Sequence, residues 1–174
     1  VFSPVKSVSV LWAAGTPQLQ REVWAAHETA VDAALDYVQQ HGSYVRAGRN
    51  GVRVLESTGL VVARMNEWSS RDGDPQMHTH CLVLNRARTC ADGRWRALDG
   101  RALLAARAGA SALYDRIVEA ELTRRLGVSW RDRPDGLREI DGIHRRVLQA
   151  FSNRRLRIER HIEAAIAAHE QRHG

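Results

Sequence analysis

Several residue types are scarce in this chain, and each scarcity narrows what it can be. Only two of its 174 residues are cysteine, Cys81 and Cys90, too few for a disulfide scaffold. Cys81 lies in an apolar stretch and Cys90 near a turn, so both read as reduced thiols, Cys81 buried, in a cytoplasmic protein. Every apolar run is interrupted by Arg, Glu or Asp before it reaches the length of a bilayer, so no membrane insertion is expected, and no stretch reads as a signal peptide. Internal repeats, low-complexity tracts and linkers are missing as well, which argues for one domain over 1–174. Lysine is nearly absent: Lys6 is the only one among 26 basic residues, and the rest are arginine.

What is present is an ordinary globular composition, 44% hydrophobic and 26% charged, in a chain long enough to bury a sizeable core. The net charge of +6 and a sequence pI near 10.3 favour a polyanionic partner. Phosphate is the natural candidate, because the planar guanidinium fork matches its oxygens.

Periodicity and capping residues give the element order. Residues 1–3 read as a short strand and 5–14 as a helix, separated by Pro4. Thr16 and Pro17 are an N-cap and first helical residue for an amphipathic helix that Gly42 closes. His27 and His41 on that helix read as solvated or capping. Asn50-Gly51 marks a hairpin between two short strands, where Arg46, Arg49 and Arg53 cluster beside Tyr44. Residues 59–68 and 77–88 read as paired central strands. A turn at Asp92-Gly93 leads into a short strand and then a long core helix, capped by Asp99 and Gly127, whose buried face includes Leu103, Leu104, Tyr114 and Leu122. Short strands around Pro134 and two final helices complete the chain, with His161, His169 and His173 facing solvent. Helices, a meander of strands and helices again fit an α+β sandwich, its antiparallel sheet covered by helices on one face.

The stretch that looks chosen for chemistry is MNEWSSRDGDPQMHTHCLVLN, residues 65–85. Successive side chains alternate across a strand, so His78 and His80 project from one face, roughly 6.5 to 7 Å apart along the backbone. Asp72-Gly73-Asp74-Pro75 is a loop, because Gly permits positive φ and Pro cannot donate to a sheet ladder. Folding back across it brings Glu67 towards the two histidines. Two imidazoles and one carboxylate make a three-ligand metal site with open positions, the arrangement of a catalytic rather than a structural ion. The same set is formally that of a mononuclear iron oxygenase, and a non-catalytic DNA-binding remnant is a further alternative.

Several separate blocks resemble the relaxase domain of the MobF class, the TrwC/TraI-like conjugative relaxases of the HUH endonuclease superfamily. FSPVKSVSVLW is similar to the family's opening block, SSRDGDPQMHTHCLVLN to its metal block, DGRWRALDGRAL and ELTRRLGV to the following hairpin and helix, and FSNRR to its closing helix motif. The resemblance implies an HUH-type two-layer sandwich and metal-dependent nicking and rejoining of single-stranded DNA, by transesterification at a plasmid transfer origin. It puts His78 and His80 on two ligand positions and Glu67 where the family has a first histidine, with Mg2+ or Mn2+ as the divalent ion that a carboxylate favours. It implies single-stranded DNA as partner, alongside other proteins of the conjugation machinery. Lys6, Arg46, Arg49, Arg71 and Arg154 are the expected phosphate contacts. The family's nucleophilic tyrosine stands ahead of the FSPVKS block, which places it upstream of Val1. The expectation is therefore a partial domain that lacks this segment and the C-terminal helicase. Tyr37, Tyr44 and Tyr114 do not match the nucleophile's position.

Overall fold

A pair of long antiparallel helices forms the layer on which the strands are laid. In the computed structural model, which describes residues 1–173 without the side chains of Ala168 and His173, these are α2 (Pro17–Gly42) and α3 (Gly100–Leu126). Thr16 caps α2 by accepting from the Leu19 amide at 3.3 Å, and Asp99 caps α3 by accepting from the Arg101 amide at 3.1 Å. Gly127, at φ 67°, ends α3 in the left-handed conformation that glycine adopts without strain. Val23, Ala26, Ala30, Val31 and Ala34 of α2 are fully buried against Ala110, Tyr114, Val118 and Leu122 of α3. Each buried valine or leucine contributes roughly 1.5 to 3 kcal/mol.

Small residues set the distance between the two helices. A Cβ on Gly109 would lie 2.3 Å from the Tyr37 hydroxyl, so any larger residue must displace that ring. Gly42 behaves otherwise than its position suggests: it is the last residue of α2, buried, and a Cβ there would meet Leu103 Cα at 3.2 Å, so its role is close approach to α3 rather than a left-handed cap. Leu104, expected on the buried face of α3, is 68% exposed because it lies one residue beyond the stripe that meets α2.

Among the described residues the strands are antiparallel, in four hairpins: β1 (Tyr44–Ala47) with β2 (Arg53–Glu56), β3 (Val62–Ser69) with β4 (Pro75–Val83), β5 (Arg86–Arg88) with β6 (Trp95–Ala97), and β7 (Trp130–Asp132) with β8 (Arg138–Ile140). Bridges between Val45 and Leu98 and between Ser57 and Thr89 join the first and third hairpins. Phe2 pairs with Thr79 through two backbone hydrogen bonds of 3.0 and 2.9 Å, making β4 the middle of three extended segments. The strand expected over residues 1–3 reduces to this one bridge: Val1 is exposed and unpaired in the ladder, and Ser3 leads straight into Pro4, which has no amide hydrogen to extend it. This is the α+β, antiparallel architecture that the sequence pattern implied.

Helix α1 (Lys6–Ala14) ties the pieces together. Its buried Ser9 hydroxyl accepts from the Met77 amide at 3.1 Å, and its buried Ser7 exchanges hydrogen bonds with Glu139 and Ile140 at 2.9 Å each. The chain finishes with α4 (Arg145–Ala150) and α5 (Asn153–His173). His161 and His169 are exposed, and the expectation for the His173 side chain lies outside the described residues. Among the described residues no helix is long and apolar enough to cross a membrane.

Candidate metal centre

Antiparallel pairing puts Glu67 of β3 directly opposite His78 of β4, with Met65 opposite His80 two residues on. The turn between them is drawn tight by Ser70, whose amide donates to the Asp74 carbonyl at 2.8 Å and whose hydroxyl accepts from the Asp74 amide at 3.2 Å. Gly73, at φ 77°, supplies the left-handed residue this turn requires. The fold-back expected from the sequence therefore forms, and it brings all three side chains to one face of the hairpin.

There the carboxylate of Glu67 reaches both histidines. One oxygen lies 3.3 Å from His78 Nε2 and the other 3.8 Å from His80 Nε2. The two imidazole rings stand 5.0 Å apart at 67°. Donor atoms of the three residues all lie within 4.8 Å of one another, and no other group of three such residues occurs among the described residues. Ligand bonds of about 2.1 Å at angles between 90° and 109° place neighbouring donors roughly 3.0 to 3.4 Å apart, so small side-chain rotations suffice to close this cluster on an ion.

The tautomer of His78 suits that use. Its Nδ1 lies 2.8 Å from the Gln76 carbonyl, which can only accept, so Nδ1 carries the proton and Nε2 presents a lone pair. The His78 side chain is 12% exposed and that of His80 38%, so one imidazole is anchored while the other borders solvent. The first residues of the chain pass beside these imidazoles: Phe2 pairs with Thr79, the residue between the two histidines, and Val1 extends from it into solvent.

Beneath the cluster runs a feature that the sequence pattern misassigned. His27, read there as solvated or capping, is fully buried. Its Nδ1 lies 2.8 Å from the Tyr114 hydroxyl and its Nε2 2.8 Å from the Thr79 hydroxyl. Thr79 in turn donates to Asn66 Oδ1 at 2.9 Å. Burial first, then the nearby charges of Arg64 and His78, pushes the His27 imidazole down to about 4. Burial likewise pushes the Tyr114 phenol well above its ordinary range. A signal for His27 was available: it falls four residues after Val23 and four before Val31, on the apolar stripe of α2.

The five expected phosphate contacts separate into groups. Lys6 and Arg154 line one groove of about 500 Å³ together with Ser3, Gln76 and Arg155. Gln76 also supplies the carbonyl that holds His78, so the groove adjoins the cluster. Lys6 donates to the Pro75 carbonyl at 2.9 Å, and its burial lowers its proton affinity against the opposing pull of Asp74. Asp74 is itself buried, at 3% exposure, and accepts from the Asn153 side chain at 2.9 Å and the Arg154 amide at 3.1 Å. Burial opposes its ionisation, but those bonds and the Lys6 charge outweigh it and hold the carboxyl below its ordinary range. Arg71 is exposed in the β3–β4 turn. Arg49 lies on the distant β1–β2 turn, and Arg46 spends its guanidinium on Asp99, at 3.2 Å to both oxygens, and on the Gly51 carbonyl. Of the two cysteines, Cys81 is half-buried rather than buried and Cys90 is exposed.

With this geometry in place, comparison with known proteins is direct. Residues 1–174 match the family model described as TrwC relaxase. Over 98 residues the chain is 39% identical to the multifunctional conjugation protein TraI of Escherichia coli, covering 56% of this chain and 5% of that protein. A copper-bound structure of the conjugative relaxase TrwC in complex with oriT DNA superposes with a TM-score of 0.84 at 32% identity, over 94% of this chain and 54% of that one. TrwC complexed with a 27-mer DNA comprising the recognition hairpin and the cleavage site gives a TM-score of 0.82 at 31% identity, over 94% and 57%. The chain thus spans about half the length of the solved relaxases and a small part of TraI.

Proposed function

The chain belongs to the TrwC relaxase family, and from that premise we propose that it carries the metal centre of a conjugative relaxase domain, which acts on one DNA strand at a transfer origin. The observation that carries this reading is the convergence of Glu67, His78 and His80 on one face of the β3–β4 hairpin, beside a groove lined by Lys6 and Arg154.

The donor set fits a divalent ion. A carboxylate with two neutral imidazoles leaves coordination positions open, and the hard oxygen favours Mg2+ or Mn2+. Held by Glu67, His78 and His80, such an ion would supply Lewis-acid stabilisation to the oxygens of a scissile phosphate. His78 and His80 present their imidazoles from one strand, Glu67 offers its carboxylate from the next, and the Gln76 carbonyl keeps His78 in the binding tautomer. Lys6 and Arg154 hold the sugar-phosphate backbone alongside, with Arg71 at the turn. We assign the attacking hydroxyl to none of Tyr37, Tyr44 and Tyr114. The Tyr114 hydroxyl is committed to His27 in the core, Tyr37 packs between His41 and Gly109 against α3, and Tyr44 opens β1. A two-histidine, one-carboxylate oxygenase shares the ligand set, but the family match over the whole chain favours DNA chemistry.

Two titrations test the reading. Fluorescence anisotropy with a single-stranded transfer-origin oligonucleotide should show binding that weakens steeply as salt rises, and Lys6→Ala or Arg154→Ala should each lower the salt slope by about one. Mn2+ uptake should be abolished by His78→Ala. Salt-independent affinity would remove the phosphate contacts from the account, Mn2+ uptake surviving in His78→Ala would remove the metal centre, and a covalent tyrosyl–DNA adduct on this chain would overturn the assignment of its tyrosines.

A further inference from the structure

The buried polar groups beneath the cluster have no role in the reading above, yet they are costly to keep there. Tyr114 and His27 are 2% and 0% exposed and lie among valines and alanines, where an apolar set of the same volume would pack without any demand for partners. Their bonds run in one direction. Thr79 donates to Asn66, so its oxygen must accept from His27; Nε2 of His27 therefore carries the proton, and Nδ1 accepts from the Tyr114 hydroxyl.

The far end of this chain is placed with respect to the ligands. Thr79 is the residue between His78 and His80, and Asn66, its partner across the hairpin, is the residue before Glu67. The Thr79–Asn66 bond is thus a rung on the core side of the hairpin, at the level of the three ligands on the opposite side. Strand β3 pairs with β4 along one edge, and its residues from Ala63 to Ser69 are exposed. A rotation of β3 against β4 by about 10° moves a donor atom at a lever arm of about 6 Å by roughly 1 Å, several times the tolerance of a metal–ligand bond.

We propose that Tyr114, His27 and Thr79 are positioning residues for the metal centre, a one-way hydrogen-bond chain through the core that holds the strand carrying His78 and His80 in fixed orientation against the strand carrying Glu67. The role rests on the metal reading of Glu67, His78 and His80. Thr79, by donating to Asn66, holds β3 and fixes the tautomer of His27, whose Nε2–H orients the Thr79 hydroxyl, and Tyr114 holds the ring in place by donating to its Nδ1.

The test compares Thr79→Val, which keeps the branched shape and loses the hydroxyl, with Thr79→Ser, which keeps the hydroxyl. Mn2+ affinity should fall tenfold to a hundredfold in Thr79→Val and stay within about threefold in Thr79→Ser. The visible absorption of bound Co2+, which reports ligand geometry at saturation, should change in Thr79→Val only. Nitrogen NMR of the metal-free wild-type chain should show His27 as the Nε2-protonated tautomer. Should Thr79→Val not fold, Tyr114→Phe serves instead: it frees the His27 ring at Nδ1 while the Thr79–Asn66 bond still holds the tautomer, and an altered Co2+ spectrum is expected. Mn2+ uptake lost in His78→Ala but within threefold of wild type in Thr79→Val, or lost equally in Thr79→Ser and Thr79→Val, overturns the positioning role alone. In Tyr114→Phe an unchanged Co2+ spectrum does the same. A wild-type chain that takes up no Mn2+ overturns the metal reading and the positioning role with it.

Discussion

Acidifying the metal-free chain from pH 7.5 to 4.5 is expected to remove about 2.5 kcal/mol of folding stability through His27 alone. The unfolded chain protonates this imidazole near its ordinary value of 6.5, whereas in the fold it takes a proton only near 4, because burial and the charges of Arg64 and His78 oppose it. Between those two values the unfolded state binds more protons than the folded one, so stability falls as the pH falls. The loss begins at about 6.5, and below about 4 no more is lost. Each tenfold difference in proton affinity is worth about 1.4 kcal/mol, which caps the effect at roughly 3 kcal/mol, with most of it spent by pH 4.5. Against a total stability of some 5 to 15 kcal/mol this is easily measured. Urea denaturation followed by far-UV circular dichroism in EDTA, at both pH values, should be run on the wild type and on His27→Gln. The Gln amide presents a donor and an acceptor to Thr79 and Tyr114 but cannot titrate, so the variant should lose less stability over the same interval by about 2.5 kcal/mol. Equal losses in the two chains would show that His27 is not the buried neutral imidazole described above.

Three further perturbations follow from the same contacts. Asp74→Ala should destabilise the chain by about 2 to 4 kcal/mol, since Asp74 accepts from Asn153 and Arg154 at the start of α5; amide exchange should show that helix fraying first, and intact protection of α5 would refute the capping role. Because that carboxyl is held below its ordinary range, its contribution is present above that range and lost as the pH falls through the lowered value. Gly109→Ala should cost about 1 to 3 kcal/mol by forcing Tyr37 away from α3, visible as a lowered melting temperature, and an unshifted melt would mean that the two helices separate freely. Glu67→His should shift metal preference from Mn2+ towards Zn2+ or Cu2+ in competition calorimetry, and an unchanged Mn2+ affinity would remove Glu67 from the ligand set.

Much of the architecture is local in origin and was legible for that reason. Thr16-Pro17, Asp99 and Gly127 bound their helices through bonds reaching no more than four residues, and Asn50-Gly51 forms its turn through left-handed φ values that few other residues tolerate. The Glu67–His78 juxtaposition was legible because one tight turn joins two strands of alternating pattern, which leaves register as the only unknown. Periodicity failed where neighbours in space decide. Leu104 has the residue type of the buried stripe but lies beyond the reach of α2, and Gly42 looks like a cap until α3 is laid against it.

The sequence by itself determined the order of elements, the basic surface and the hairpin on which Glu67, His78 and His80 meet, since each depends on short-range geometry or on charge that no fold can remove. Tertiary structure alone decided the rest. It drew Lys6 from α1 and Arg154 from α5 into one groove beside Gln76, and it turned Arg46 away to Asp99. It also made His27 a buried link between Tyr114, 87 residues away, and Thr79, 52 residues away, because only packing α2 between α3 and β4 leaves an imidazole with a partner at each nitrogen and no exposure to solvent.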